Sequence, residues 1–229
     1  MKVAEPKSVR LRWPKIYRVI PSKFPPINFF ERIVKPEQME AAWYLESLTN
    51  DRLRDATGDI ALVGEKDRVS GAGASIVMAA FTHIGNPSRF SDGSFGVYYA
   101  ARSLETAVRE TVYHRARFLA ATNEAPGEID MRAYVGKINV PMKDVRSPRF
   151  KFLHDAESYA RSQPFGKTRR ERGDWGLVYN SVRHSGGECI AAFRPTAVGL
   201  PIAGPALAYV WDGAKITQIY EKGAVLFQL

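Results

Sequence analysis

The stretch Gly176-Leu177-Val178-Tyr179-Asn180-Ser181-Val182-Arg183-His184-Ser185-Gly186-Gly187-Glu188-Cys189-Ile190-Ala191-Ala192-Phe193 organises the rest of this chain. Trp175 to Val182 and Glu188 to Phe193 are rich in apolar residues, β-branched and aromatic ones among them, and Gly186-Gly187 lies between them. That pattern predicts two strands around a glycine turn. Side chains alternate along a strand, so Leu177, Tyr179 and Ser181 share one face and Val178, Asn180 and Val182 the other. Ser181 falls at a strand's end, where its hydroxyl either satisfies the adjacent turn or bonds an oxygen of a ligand.

Upstream, Ser91-Asp92-Gly93-Ser94 is a turn signal before a strand predicted over Gly96 to Ala101, in which Tyr98 and Tyr99 must point to opposite faces. Ser103 is placed to cap the following helix, with Glu105 in its first turn. Leu104, Val108, Val112 and Leu119 line one face of that helix. Glu110 lies off this stripe with His114 one turn later on its side. A carboxylate there is either a helix-surface charge paired with a neighbour or the edge of a pocket. Lys15 to Ile20 reads as a strand ended by Pro21, which sets Arg18 near its middle; a buried arginine requires a partner.

Pro36 to Leu53 has the spacing of an amphipathic helix, and Ile60 to Val63 fits a short strand or a turn of helix. Ser70-Gly71-Ala72-Gly73-Ala74-Ser75 resembles a glycine-rich dinucleotide loop, but Ile76 stands where the third glycine belongs, and a helix beginning near Gly73 is the better reading. Arg132 to Val140 is expected to form a strand ended by Pro141. Asp155 to Arg172 is expected to be helical with a break near Pro164. Two more short strands are expected between Leu207 and Leu229, around the turn Trp211 to Ala214.

The 229 residues fit one large domain, 1–229, with no internal repeat or dividing linker, and a chain of this size buries roughly 70% of its unfolded surface. No run approaches the roughly 18 to 20 apolar residues of a membrane helix, and the basic start Met1 to Lys15 lacks a following apolar region, so a cytoplasmic protein is expected. Cys189 is the only cysteine and the four histidines are scattered, which argues against a disulfide or a metal site. The net charge of +9 admits nucleic acid, an anionic small molecule or an acidic protein as partner. The cluster Arg161 to Arg172 is either a solvated basic face or part of such a surface.

Taken in order, Tyr17-Arg18-Val19, then Ser88-Arg89-Phe90, Gly96-Val97-Tyr98-Tyr99-Ala100 and Thr106-Ala107-Val108-Arg109-Glu110, then Gly176 to Arg183 with Gly186-Gly187, resemble the RES domain, a bacterial toxin family. The resemblance runs from about Ile16 to Pro195. It implies an α+β fold similar to that of ADP-ribosyltransferases, with mixed β-sheets flanked by helices and, here, a mostly helical elaboration over 28–83 after the first strand. It implies NAD degradation with phosphate or water as acceptor. It also implies dimerisation, and neutralisation by a cognate Xre-type antitoxin that occludes the active site. NAD is then a substrate, with inorganic phosphate as co-substrate, and no cofactor is required.

That chemistry suits the residues. Breaking the nicotinamide-ribose bond passes through a ribosyl cation, so a carboxylate beside the sugar is needed, and Glu110 can supply it. Arginines bind a pyrophosphate through a planar fork of donors, which suits Arg18 and Arg89. The expected catalytic residues are Glu110, Arg18 and Ser181. Arg89, Tyr99, Tyr17 and His114 are the expected substrate-binding residues; Tyr99 is preferred to Tyr98 because it matches the family's strand tyrosine, and His114 either orients Glu110 or is a half-buried histidine. A nucleic-acid-binding protein or ribonuclease, and a protein ADP-ribosyltransferase, remain alternatives.

Overall fold

The computed structural model describes residues 4–22 and 58–223, so the expected helix Pro36 to Leu53 lies outside the described residues. Strands β1 (Lys7–Arg10), β2 (Ile16–Pro21), β3 (Tyr98–Ala101), β4 (Gly127–Gly136), β5 (Pro141–Asp144), β6 (Gly176–Asn180), β7 (Glu188–Ala192), β8 (Ile202–Trp211) and β9 (Ile216–Glu221) form one sheet. Their order is β1-β5-β6-β7-β3-β2-β4-β8-β9. Only β5 and β6 run parallel; the other neighbours are antiparallel. With helices α1 (Ala74–Thr82), α2 (Leu104–Ala121) and α3 (Ser162–Glu171), this is the expected α+β class.

Alternation along the strands sorts the core into two layers, one on each face of the sheet. Ile16, Tyr98, Ala100, Val178 and Ile190 pack with Val77, Met78 and Phe81 of α1 on one face. Val19, Ala101, Leu177, Tyr179, Cys189 and Ala191 pack on the other, with Ala107 of α2 and with Phe150 and Leu153 of a 3-10 helix, Pro148–Leu153. The pairing of β6 with β7 and the face assignments of Leu177, Tyr179 and Val178 follow the hairpin reading. Tyr98 and Tyr99 do face opposite layers.

Some boundaries differ from the expectations. The strand expected over Arg132 to Val140 ends at Gly136, and Pro141 opens β5 rather than closing a strand. A proline is tolerated at the first residue of a strand because its missing donor costs nothing there. The helix expected from Asp155 starts at Ser162, because the Asp155 carboxylate accepts from the amides of Glu157 (2.8 Å) and Ser158 (2.9 Å) and turns the chain. Pro164 then falls in the first turn of α3, where no helical donor is needed, and makes no break. Ile60–Leu62 is a 3-10 helix, and the strand β1 lies in a segment read only as basic.

The glycine-rich segment has a packing role. Gly73 caps α1 at φ +88°, and a Cβ there would lie 2.2 Å from the Pro201 carbonyl oxygen, so close backbone approach explains the glycine. The basic run on α3 is largely paired within the chain: Arg169 meets Glu5 and Asp174 at 2.6 Å, Arg172 meets Glu5 at 3.1 Å, and Lys167 meets Asp92 at 3.7 Å. Glu5 thereby fastens the segment before β1 to α3.

Candidate active site

Ser103 caps α2 by accepting from the amide of Thr106 at 3.2 Å, and this fixes the rotation of the helix. With Ala107 turned to the sheet, helical spacing brings Glu110, Thr111 and His114 to the same side, above the gap beside β3. There they help to line a cavity of about 310 Å³ with Tyr17, Arg18, Arg89 and Tyr99. Every expected site residue except Ser181 is part of this lining.

Ser181 reaches Glu110 from behind. Its hydroxyl accepts from the amides of Arg183 (3.1 Å) and His184 (3.0 Å), so its own proton is free for the Glu110 carboxylate oxygen Oε1 at 2.5 Å. The turn itself is closed by the Ser181 amide donating to the Gly187 carbonyl at 2.8 Å. Glu110 is thus held by one oxygen, and among the described residues no partner engages Oε2. Of the two roles weighed for Ser181, the hydroxyl performs the first, satisfying the adjacent turn, and its own proton is directed to Glu110 rather than to a ligand oxygen.

Arg18 sits where β2 and β3 part after a single residue pair, Tyr17 with Ala101. Its guanidinium donates to the Tyr99 carbonyl at 3.1 Å and lies 4.6 Å from the centre of the Tyr98 ring, while its buried Nε has no hydrogen-bond partner. Burial lowers the pKa of this arginine. A cation so placed, with no carboxylate partner among the described residues, favours the approach of an anion.

Arg89 is 7% exposed, and its Nη1 donates to the carbonyls of Leu153 (3.2 Å) and Asp155 (2.8 Å). The Tyr159 ring lies 4.8 Å from its guanidinium carbon. Tyr99 positions that arginine: its hydroxyl accepts from the Phe90 amide at 3.0 Å and pairs with the Ser88 hydroxyl at 2.9 Å, and burial raises its pKa to about 12. Its ring lines the cavity as a neutral surface. His114 is pushed below the usual imidazole range, first by burial, against which the Glu110 charge pulls upward.

Tyr179, Cys189, Thr111 and Tyr159 also line the cavity and were not singled out from the sequence. The alternation that placed Tyr179 on the face of Ser181 was the available signal for it. Tyr159 had none, because it lies in a stretch read as helix. Arg183 was missed as well; it stacks on Tyr113 at 3.2 Å and holds the Ala156 carbonyl. Among the described residues no group of His, Cys, Asp and Glu side chains could hold a metal ion, and no helix is long and apolar enough to cross a membrane.

Three comparisons with known proteins bear on the chain as a whole. The model of the RES domain family matches residues 67–212. The match therefore takes in Arg89, Tyr99, Glu110, His114 and Ser181, extends past Pro195, and leaves β2 with Arg18 outside. "Uncharacterized protein y4oC" of Sinorhizobium fredii (strain NBRC 101917 / NGR234) is 31% identical over 208 residues, covering 90% of this chain and 86% of that protein. A distant likeness, with a TM-score of 0.44 and 10% identity over 92% of this chain and 87% of the other, is to a chain in the crystal structure of the M. tuberculosis MbcT-MbcA toxin-antitoxin complex.

Proposed function

The chain belongs to the RES domain family, and on that premise we propose that it is the toxin of a toxin-antitoxin pair, an enzyme that depletes NAD by cleaving the nicotinamide-ribose bond. The observation that carries this reading is the Glu110 carboxylate, held through Oε1 by Ser181, unengaged at Oε2 among the described residues, and part of the lining of a cavity shared with Arg18, Arg89 and Tyr99. Nicotinamide leaves NAD as a neutral molecule with the bonding electrons, so no strong acid is required. What the reaction needs is negative charge beside the developing ribosyl cation and firm placement of the sugar. Glu110 supplies the charge, and its unengaged oxygen suits the ribose 2′-hydroxyl.

The cavity's size fits one end of a dinucleotide. At about 310 Å³ it lies at the lower end of ligand pockets, roughly 300 to 1,000 Å³, so the nicotinamide riboside half enters and the adenylate half extends outward. Arg18 and Arg89 then serve the pyrophosphate. Water or inorganic phosphate captures the cation, yielding ADP-ribose or its 1″-phosphate. An acidic segment of an Xre-type antitoxin would compete for the same cations and occlude the cavity, and a homodimer is the expected assembly.

Purified, antitoxin-free protein incubated with NAD should release nicotinamide, and product analysis with and without phosphate identifies the acceptor. Absence of NAD loss in both conditions would overturn the reading, and label from NAD on a macromolecule would redirect it to a protein ADP-ribosyltransferase. The pairing of Arg169, Arg172 and Lys167 with acidic side chains weighs against a nucleic-acid surface on α3. Ser181→Ala should lower nicotinamide release by about 10 to 100 times, because Glu110 remains but loses its holder, and should cost about 1 to 2 kcal/mol in urea unfolding as the turn loses its cap. Ser181→Thr should restore most of both.

A further inference from the structure

His154 ends the 3-10 helix Pro148–Leu153, outside the cavity lining, and its ring is clamped between two backbone groups. Nδ1 lies 3.0 Å from the Phe150 carbonyl oxygen, and Nε2 lies 3.2 Å from the amide nitrogen of Asn180. A carbonyl only accepts and an amide N–H only donates, so the ring must carry its proton on Nδ1 and a lone pair on Nε2. Asn180 is the last residue of β6, and its side-chain amide donates to the Arg146 carbonyl at 2.8 Å. The next residue is Ser181, the holder of Glu110.

We propose that His154 is a positioning residue for this site, holding Asn180 and Ser181, and through them Glu110, only while its imidazole is neutral. The proposal rests on the reading of Glu110 as the reacting carboxylate. A second proton would set an N–H against the Asn180 N–H, removing the bond and leaving two donors facing each other. The surroundings oppose that proton: burial comes first, and the Arg89 cation adds to it, so the imidazole is held below its usual range. Tyr179 of β6, 6.4 Å away between ring centres, stays protonated through burial. The Asp155 carboxylate is turned to its own loop amides, and Arg183 is held by Ala156 and Glu157. Arg149 and Lys151 share the 3-10 helix of His154, and Arg149 stacks near Phe150.

The geometry predicts different outcomes for two amide substitutions. In His154→Gln the side-chain carbonyl reaches the position of Nε2, accepts from Asn180 and does not titrate. In His154→Asn the amide can serve Phe150 but falls short of Asn180. Nicotinamide release from NAD should therefore fall at acid pH in the wild type, and the Gln variant should lose the share of that fall due to His154, leaving the share due to Glu110 and His114, while keeping neutral activity within about threefold. The Asn variant should be about tenfold slower at every pH. His114 also titrates low, so a second measurement isolates His154: nitrogen NMR of labelled histidine should show the Nδ1–H form, with the Asn180 and Ser181 amides shifting at the same midpoint as its ring.

An unchanged acid fall in the Gln variant, full activity in the Asn variant, or amides that ignore the His154 titration would each overturn the proposal. If the wild type cleaves no NAD, the proposed function fails by itself, and the NMR titration still decides whether His154 governs Ser181.

Discussion

Glu110→Gln is expected to reduce nicotinamide release from NAD by about 100 to 1,000 times or more and to abolish growth inhibition, with the fold intact. The substitution is nearly isosteric, and a glutamine carbonyl can still accept from the Ser181 hydroxyl that now lies 2.5 Å from Oε1. What disappears is the negative charge, and an oriented charge facing a developing cation in a water-poor site contributes several kcal/mol to lowering the barrier. The same variant carries an internal control. The Glu110 charge pulls the His114 pKa upward against burial, so removing it should move that titration further down, as histidine NMR would report. Retained NAD cleavage with the expected His114 shift would remove Glu110 from the chemistry while confirming its place.

Gly166→Ala is expected to lower stability by about 1 to 2 kcal/mol and Gly166→Val by more, against the ordinary gain of about 1 kcal/mol for replacing a helical glycine with alanine. A Cβ at Gly166 would lie 2.1 Å from the Phe90 carbonyl oxygen and 2.8 Å from the Phe90 Cβ, and Phe90 is fully buried. Backbone cannot yield as a flexible side chain can, so overpacking wins over propensity. In a chain of this length each kcal/mol should appear as a fall of about 2 to 4 °C in Tm. Because Arg89 adjoins Phe90, NAD turnover should also fall; an unchanged or raised Tm would contradict the packing of α3 against this loop.

The parts of the fold that were legible in the sequence are those where local chemistry has no competitor. The Ser103 cap, the rotation that sets Glu110 beside His114, and the hairpin from Gly176 to Ala192 follow from capping, helical spacing and alternation. The extent of α3 was misread because Asp155 satisfies two amides locally, an interaction that competes with helix without changing composition. Pro141 was misread because a proline looks alike at the end and at the start of a strand. The order of the strands, which seats β2 between β3 and β4, rests on long-range pairing that no local pattern encodes.

The site shows the same division. Of the cavity lining, Tyr17, Arg18, Arg89, Tyr99, Glu110 and His114 were legible as types, whereas Thr111 and Tyr159 and the contacts that support the site were not. That the Tyr99 hydroxyl holds the loop of Arg89, or that Ser181 accepts two amides in order to donate to Glu110, depends on contacts between segments 9 and 71 residues apart. His154 was read only as one scattered histidine, since nothing in its neighbours foretells the amide of Asn180.

β2 is laced to β4 through every residue from Ile16 to Pro21, yet it meets β3 at Tyr17 and Ala101 alone. The sheet is thus two panels latched at one point, and Tyr17 and Arg18 from one panel face Tyr99, Tyr179 and Cys189 from the other across the cavity. A molecule seated there touches both panels and works as a rivet. Its binding adds to the cohesion of the sheet by mass action, about 2.7 kcal/mol at a hundredfold excess over Kd. The seam where the backbone is least sewn is the seat of the proposed reaction, and substrate supplies the missing stitches for as long as it stays.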